Sequence, residues 1–422
     1  MSGSNGRSRS PRLRRWRDRA FLILCASIAG VSMFVLAWLI GEMVSQGVAH
    51  LDRDFLTSYP SRRAASAGFK SALWGSVWLV CVCAAVALPL GVAAAVFLEE
   101  FAPQRRTWRA MHSFAGLNIS NLAGVPSIVY GIIGLTVFVR MFGLFGSPNL
   151  SMYDQWERVR LQDGTHAAGR LVEQSDQSLV LEHPRDGVRS IVSAAITSRD
   201  SIHIRRHKLE LSSGRRLAGP HIGRTSEGLL ELDTDDRERV VIDPAEVVSY
   251  EYSRVLTIGH PDSFFYFRLP LGGSVLAGGL TLMLVILPII IIACREALRA
   301  VPSSLREGSL ALGATRWQSV RRMVLPAAIP GIMTGCILAV SRAIGEAAPL
   351  LVVGGLLVVF AVPQNLMDDF SAMPLQIFNW AGRPQEDFHR LAASGILVLL
   401  MVLVAFNMLA IVIRQWFHKP LT

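Results

Sequence analysis

SLREGSLALGATRWQSVRRMVLP, residues Ser304–Pro326, is a polar segment rich in arginine and glycine, set between two long apolar runs. Ser304 and Glu307 have the S-x-x-E spacing of a capping box, in which each side chain satisfies a free backbone donor at a helix start. A helix is therefore predicted from about Leu305. Gly313 suits the left-handed residue that ends it. Thr315 is placed to cap a second helix, and Pro326 is expected to close that one before the next apolar run. The segment reads as two short helices joined by a tight turn, rimmed by Arg295, Arg299, Arg306, Arg316, Arg321 and Arg322. An ordinary basic loop on lipid headgroups is the competing reading. Cap, medial glycine and closing Leu-Pro together point instead to a compact knob presented to a partner.

The surroundings of this knob are built for lipid. The chain has 422 residues, 51% of them hydrophobic, and a positive mean hydropathy of +0.39, beyond the range of soluble globular domains. Runs long enough to cross a bilayer, about 20 residues as helix, begin near Ala20, Ser71, Asn118, Pro270, Gly331 and Leu391. The fold expected is an all-α polytopic membrane protein of six transmembrane helices. The first run follows an arginine-rich head, residues 1–19, but is too long for a signal peptide and has no A-x-A site after it. The positive-inside rule keeps that head in the cytoplasm, and six spans return the C-terminus there. The pieces so placed inside hold 18 Lys and Arg. The outer pieces hold eight, leaving one insertion aside. The five cysteines, Cys25, Cys81, Cys83, Cys294 and Cys336, lie in or beside apolar runs and read as small core residues. This composition suggests no nucleic-acid partner.

Between the third and fourth runs, residues 147–265 break from this pattern. They hold 15 basic and 19 acidic residues, net −4 against +10 for the chain, and read as an inserted soluble domain, placed outside, on the periplasmic side, by span parity. VRLQDGTHAAG, ending at Gly169, is echoed by LELSSGRRLAG, ending at Gly219, and RSIV at Arg189 by RVVI at Arg239. Both echoes have the same spacing, so two copies of one unit are expected. Alternating runs at Ser178–Glu182, Ile202–Ile204, Lys208–Leu211 and Glu238–Ile242, with D-G and S-G turns, predict two small β-rich modules. The histidines there, His166, His183, His203, His207 and His221, lack metal spacing, so neither a metal site nor a catalytic residue is expected. The domains are thus the head 1–19, spans one to three in 20–146, the insertion 147–265, and spans four to six in 266–422 with the loop 295–330.

The knob resembles the cytoplasmic loop of membrane permeases of binding-protein-dependent ABC importers, which runs E-A-A, three residues, G, nine residues, I, one residue, L-P. The pattern falls on Glu307, Gly308, Ser309, Gly313, Met323, Leu325 and Pro326, with small residues for the two alanines and methionine for isoleucine. The resemblance implies a MetI-like fold in the cell inner membrane, in which Glu307–Gly313 docks on a separate ATP-hydrolysing subunit. This chain has no G-x-x-x-x-G-K-[ST] segment to hold ATP itself. The blocks LPLGVAAAVFLEEF from Leu88, LAGVPSIVYG from Leu122, EALRAVPSS from Glu296 and SRAIGEAAPL from Ser341 are similar to the PstA-type permease of the phosphate importer. That family's partners are a PstC-type permease, a PstB-type ATPase dimer carrying ATP and Mg, and a PstS-type phosphate-binding protein. The insertion departs from the compact members of the family.

Physical reasoning picks out residues along a transport path. Arg342 sits inside the fifth apolar run, where an ionised side chain costs roughly 2.5 kcal/mol or more unless satisfied. Glu346 is four residues on, on the same helical face, where it can neutralise Arg342. A guanidinium stays charged and presents a planar fork suited to tetrahedral oxyanions. A purely structural pair stitching the bundle is the competing reading. Arg295 and Glu296 form a second charged station, against a simple snorkelling arginine. Asn121 and Ser127 are expected to line the path beside Pro126, which distorts its helix. Phosphate fits best. Sulfate or molybdate transport, or a membrane sensor signalling through the insertion, are the alternatives.

Overall fold

The computed structural model describes residues 11–101, 105–145, 147, 153–175, 177–225, 227–234, 238–258, 263–354 and 359–417. Arg7 and Arg9 of the basic head lie outside them. Two compact units emerge, one running to Lys70 and including Gln376–Ala405, the other Ser71–Leu375 with Phe406–Thr422.

In the first unit, α1 (Pro11–Gly47) is a long apolar helix whose side chains from Arg19 onward are nearly all exposed, as suits contact with lipid or another chain. After α2 (Arg53–Thr57), capped by Asp52, Phe55 and Phe69 stack at 5.5 Å and both meet Trp380. Ser394 ties to the carbonyl of Gly47 at 2.8 Å.

In the second unit, α3 (Lys70–Glu100) is a continuous span that absorbs Pro89. The third apolar run differs from the expected single span starting at Asn118. It forms α4 (Arg106–Leu122) and α5 (Ser127–Gly134, continued as a π turn to Val139), bent by 108°. Proline at 126 disfavours the α region for the residue before it and lacks a donor, so the helix breaks there instead of kinking. Tyr130 clamps the bend by donating its hydroxyl to the carbonyl of Leu122 at 2.7 Å. Among the described residues, five helices are long and apolar enough to cross a membrane, and the bent pair is the sixth candidate.

A β-rich domain follows, from Asp154 to Leu269. Strands β1 (Asp154–Leu161), β2 (His166–Gln174), β3 (Ser178–His183), β4 (Gly187–Val192), β5 (Ile196–Leu211) and β6 (Arg216–Gly219) join β10 (Val247–Arg254) in one antiparallel sheet, ordered β10-β5-β1-β2-β3-β4 with β6 on β5. Strands β7 (His221–Arg224), β8 (Leu230–Asp233) and β9 (Arg239–Ile242) form a second sheet, and β11 (Leu256–Ile258) pairs with β12 (Phe267–Leu269). The runs at Ile202 and Lys208 belong to one strand, β5. The pairing of Glu157 with Gly169 and of Arg160 with His166 in β1–β2 recurs in β5–β6 as His207 opposite Gly219 and Glu210 opposite Arg216. In the next hairpin the repeat slips by one position, Leu179 opposite Ile191 becoming Leu230 opposite Ile242, so Arg189 aligns with Val240 and not with Arg239. Gly164 and Gly214 make the predicted turns at φ 85° and 76°.

Helix α6 (Val275–Arg299), capped by Ser274, is the most deeply buried span. It leads through α7 (Ser303–Ala311) and α8 (Arg316–Ser319) to α9 (Leu325–Ile344). A Cβ on Gly331 would meet the Cβ of Ala297 at 2.8 Å, and one on Gly335 would overlap the Cβ of Ala293. Small residues thus bring α6 and α9 together, as expected where lipid offers no hydrophobic drive between helices. The chain ends through α10 (Ala348–Gly354), α11 (Met373–Ala381) and α12 (Glu386–Phe417). Cys83, Cys294 and Cys336 are buried, whereas Cys25 and Cys81 are exposed. Those two lie on outward faces of their helices, so they are not core residues.

Candidate functional site

The Ser304–Pro326 segment is an elbow with a different cap from the one expected. Helix α7 starts at Ser303, with Pro302 at the N-cap and no side-chain cap bond, so the Ser304–Glu307 box does not form. Pro302, at φ −56° and ψ 136°, sets the entry instead, and places Ser304 inside the first turn. The capping box sits on the second helix, where Thr315 accepts from the Gln318 backbone N–H and the Gln318 side chain accepts from the Thr315 N–H. Gly313 is left-handed at φ 84° with open space around it, so a bulkier residue would be strained by its backbone alone. Ser309 is hydrogen-bonded to Ser319 across the turn. Leu325 and Pro326 do not end the second helix. It runs on through a π turn, Val320–Val324, into α9, with Pro326 placed where the π turn hands over to the α-helix.

The elbow presents Glu307 and Gly308 to solvent, beside exposed apolar side chains at Leu310, Trp317 and Leu312, the last 91% exposed. Its inner side is fixed by charge. Arg306 makes a forked bond to Glu100 at the end of α3, at 2.7 and 3.1 Å, and donates to the carbonyls of Leu298 and Val301, 2.7 and 2.8 Å away. It thereby adds a bond to carbonyls at and just beyond the end of α6. Glu99 receives Arg299 at 2.8 Å and Arg295 at 3.3 Å. Sequence reasoning placed Arg295 and Glu296 together as a station. In the structure Arg295 instead joins Glu99 and lies against Gly116 of α4, while exposed Glu296 holds Arg299 at 3.2 Å. Glu99 and Glu100 were missed. Their signal was an acidic pair ending an apolar run, facing an arginine rim that lies beyond the whole β-rich domain in the chain.

Arg342 and Glu346 do meet, at 3.8 Å, but not as neighbours on one helix. Arg342 lies in the last turn of α9, not deep within it, since the helix ends at Ile344 and turns through Gly345 before α10. The guanidinium side chain is 57% exposed and the carboxylate 15%. The adjoining Ser341 is held by Asn407 of α12. Asn121 and Ser127 flank the break between α4 and α5, the first exposed and the second half-buried. Helix α5 packs Gly134 on Thr281 of α6 and Gly131 on Pro349 of α10. The break after α4 and the break after α9 therefore feed two helices that touch.

In the β domain the structure gathers histidines whose spacing gave no signal. Asp154 accepts from His207 at 3.0 Å, His221 at 2.8 Å and the Ile222 N–H at 2.9 Å. Tyr250 stands 2.7 Å from the other nitrogen of His207. Burial alone would raise the Asp154 carboxyl, but these bonds hold it below the usual carboxylate range. The cluster pins β1 to β7 and β10.

Residues 244–421 match the family described as binding-protein-dependent transport system inner membrane component. Over that stretch the chain carries this family's domain. The match thus begins within the β-rich domain, just ahead of β10, and contains the elbow, Arg342 and the last spans. Similar chains include a probable ABC transporter permease protein, YqgI, of Bacillus subtilis, 23% identical over 94% of each chain. A phosphate transport system permease protein, PstA 1, of Mycobacterium tuberculosis is 35% identical over 33% of this chain and 46% of its own. A probable PstA of Methanocaldococcus jannaschii is 36% identical over 31% and 47%. The chain spans about half the length of the PstA relatives it matches. That match and its apolar helices make the chain similar to multi-pass membrane permeases of the PstA type.

Proposed function

We propose that the chain is the permease subunit of an ATP-driven importer of inorganic phosphate, working with a second, PstC-type permease, an ATPase dimer that holds ATP and Mg, and a PstS-type phosphate-binding protein. The observation that carries this reading is the elbow. Its outer face offers Leu310, Leu312 and Trp317 around the exposed Glu307 and Gly308 of α7, while Arg306 locks its inner face to α3. A partner pressing on α7 moves the ends of α3 and α6 with it. Glu307, Gly308, Ser309, Gly313, Leu325 and Pro326 form this coupling segment, with both termini and the elbow in the cytoplasm and the β domain outside.

Arg342 is the anion's station. Its distance from Glu346 leaves the guanidinium donors incompletely engaged, so an entering oxyanion replaces a weak partner with a bidentate one. Asn121 and Ser127 line the approach at the helix break, and Arg295 and Glu296 mark the inner exit. Uptake of radiolabelled phosphate by proteoliposomes holding the reconstituted complex tests the reading. Phosphate should outcompete sulfate and molybdate, and ATP should be required. Uptake equal for all three anions would remove the phosphate assignment, and uptake without the ATPase would remove the importer class.

A further inference from the structure

The two copies of the β unit differ in how they satisfy their basic residues. In the second copy, Glu210 stands opposite Arg216 across the hairpin, and the pair is bonded at 3.1 Å. At the equivalent positions of the first copy, Arg160 stands opposite His166, two basic residues with no carboxylate between them. On the same face of β1 as Arg160 is Arg158, half-buried, and no side-chain partner is found for it among the described residues. Arg158 and His166 border a cavity of about 230 Å³, lined also by His183, Asp186, Arg189 and Tyr252, with Arg160 beside it on β1.

The cavity is rich in donors and poor in acceptors. The Asp186 backbone N–H points to His183 Nδ1 at 3.3 Å, and the Asp186 carboxylate lies 3.4 Å from the same nitrogen, which leaves Nε2 to face the cavity's other groups. Burial holds His183 below its ordinary value, in keeping with a neutral ring. Asp186, the only acid on the wall among the described residues, is exposed at the rim and reaches Arg189 at 3.8 Å. Arg158, half-buried and without a side-chain partner among the described residues, lacks the acceptor that buried donors ordinarily find, and an anion in the cavity would supply it. The volume is below the roughly 300 Å³ at which pockets for drug-sized ligands begin, so a small ion fits better than a nucleotide.

We infer that the first β unit carries a binding site for a small, multiply charged oxyanion, held by Arg158, Arg189, His166, His183 and Tyr252. This site is separate from the Arg342 station, and its failure would leave the transport reading untouched. The test uses the full chain in nanodiscs of zwitterionic lipid, with radiolabelled inorganic phosphate as probe and sulfate as competitor. In an Arg342→Gln background a saturable site should remain, with sulfate competing for it. Adding Arg158→Gln with Arg189→Gln should weaken that site at least tenfold. Arg160→Glu installs at an exposed position the acid that the second copy has, and should weaken binding about fivefold while strand hydrogen exchange stays unchanged. The inference is overturned if phosphate binding disappears with Arg342→Gln alone, or if it persists at full affinity in the Arg158, Arg189 and Arg160 variants.

Discussion

Arg306 and Arg342 are both arginines at helix ends beside a glutamate, yet they sit in opposite states. Arg306 makes a forked bond to Glu100, which is 9% exposed, and two further bonds to backbone carbonyls. Arg342 is more than half exposed and stands 3.8 Å from its only described partner. A guanidinium with its donors filled in a dry place resists exchange, since removing one partner leaves an uncompensated charge. One with donors to spare exchanges partners at little cost. The difference separates a mechanical joint from a binding station.

Breaking the joint should have the largest effect. Glu100→Ala should destabilise the membrane unit by on the order of 3 kcal/mol, because it strands Arg306, and should abolish uptake. Thermal unfolding of the purified chain reads the first and vesicle uptake the second. A wild-type melting temperature would show that the bond is ornamental. Arg342→Gln should instead leave the melting temperature within a few degrees and lower phosphate uptake a hundredfold or more. If it melts early, Arg342 is a structural stitch, and the contrast with Arg306 fails.

The sequence made some of this readable and hid the rest for identifiable reasons. Apolar runs and the left-handed Gly313 are local features, so the spans and the turn could be read directly. The third span's break at Pro126 was read as a distortion only, because sequence cannot say whether neighbouring helices will support a bent chain. The cap expected at Thr315 forms, whereas the one expected at Ser304 does not, because Pro302 fixes the helix entry two residues early. Glu99 and Glu100 escaped notice because their arginine partners are remote in the chain, with two apolar runs and the β-rich domain in between. Arg342 and Glu346 were paired for the wrong geometric reason: their four-residue spacing brings them together across a helix end and not along a helix.

A smaller effect sharpens the comparison on the β side. Burial holds His183 and His203 below their ordinary value of 6.5, so the unfolded chain takes up their protons first. Stability of the β domain should be full above that value and decline as pH falls from about 6.5 through the lower folded values. Asp154, depressed by its bonds, adds a further loss only as pH falls below about 3.8. Hydrogen exchange of β1–β10 at pH 7.5 and 5.5 checks the first step. Equal protection at both would mean that the two rings are not held neutral. The α7–α8 elbow, which holds no histidine, should show no change over the same interval.

The most direct test concerns Gly313, where φ is 84° and nothing crowds the missing side chain. Substitution by valine acts on the turn alone, straining it by about 1–3 kcal/mol without touching Arg342. In proteoliposomes containing the complete transporter, Gly313→Val should lower ATP-driven phosphate uptake at least tenfold while phosphate binding to the permease is retained. Uptake at the wild-type rate would contradict the claim that this elbow carries the force of ATP hydrolysis to the anion's path.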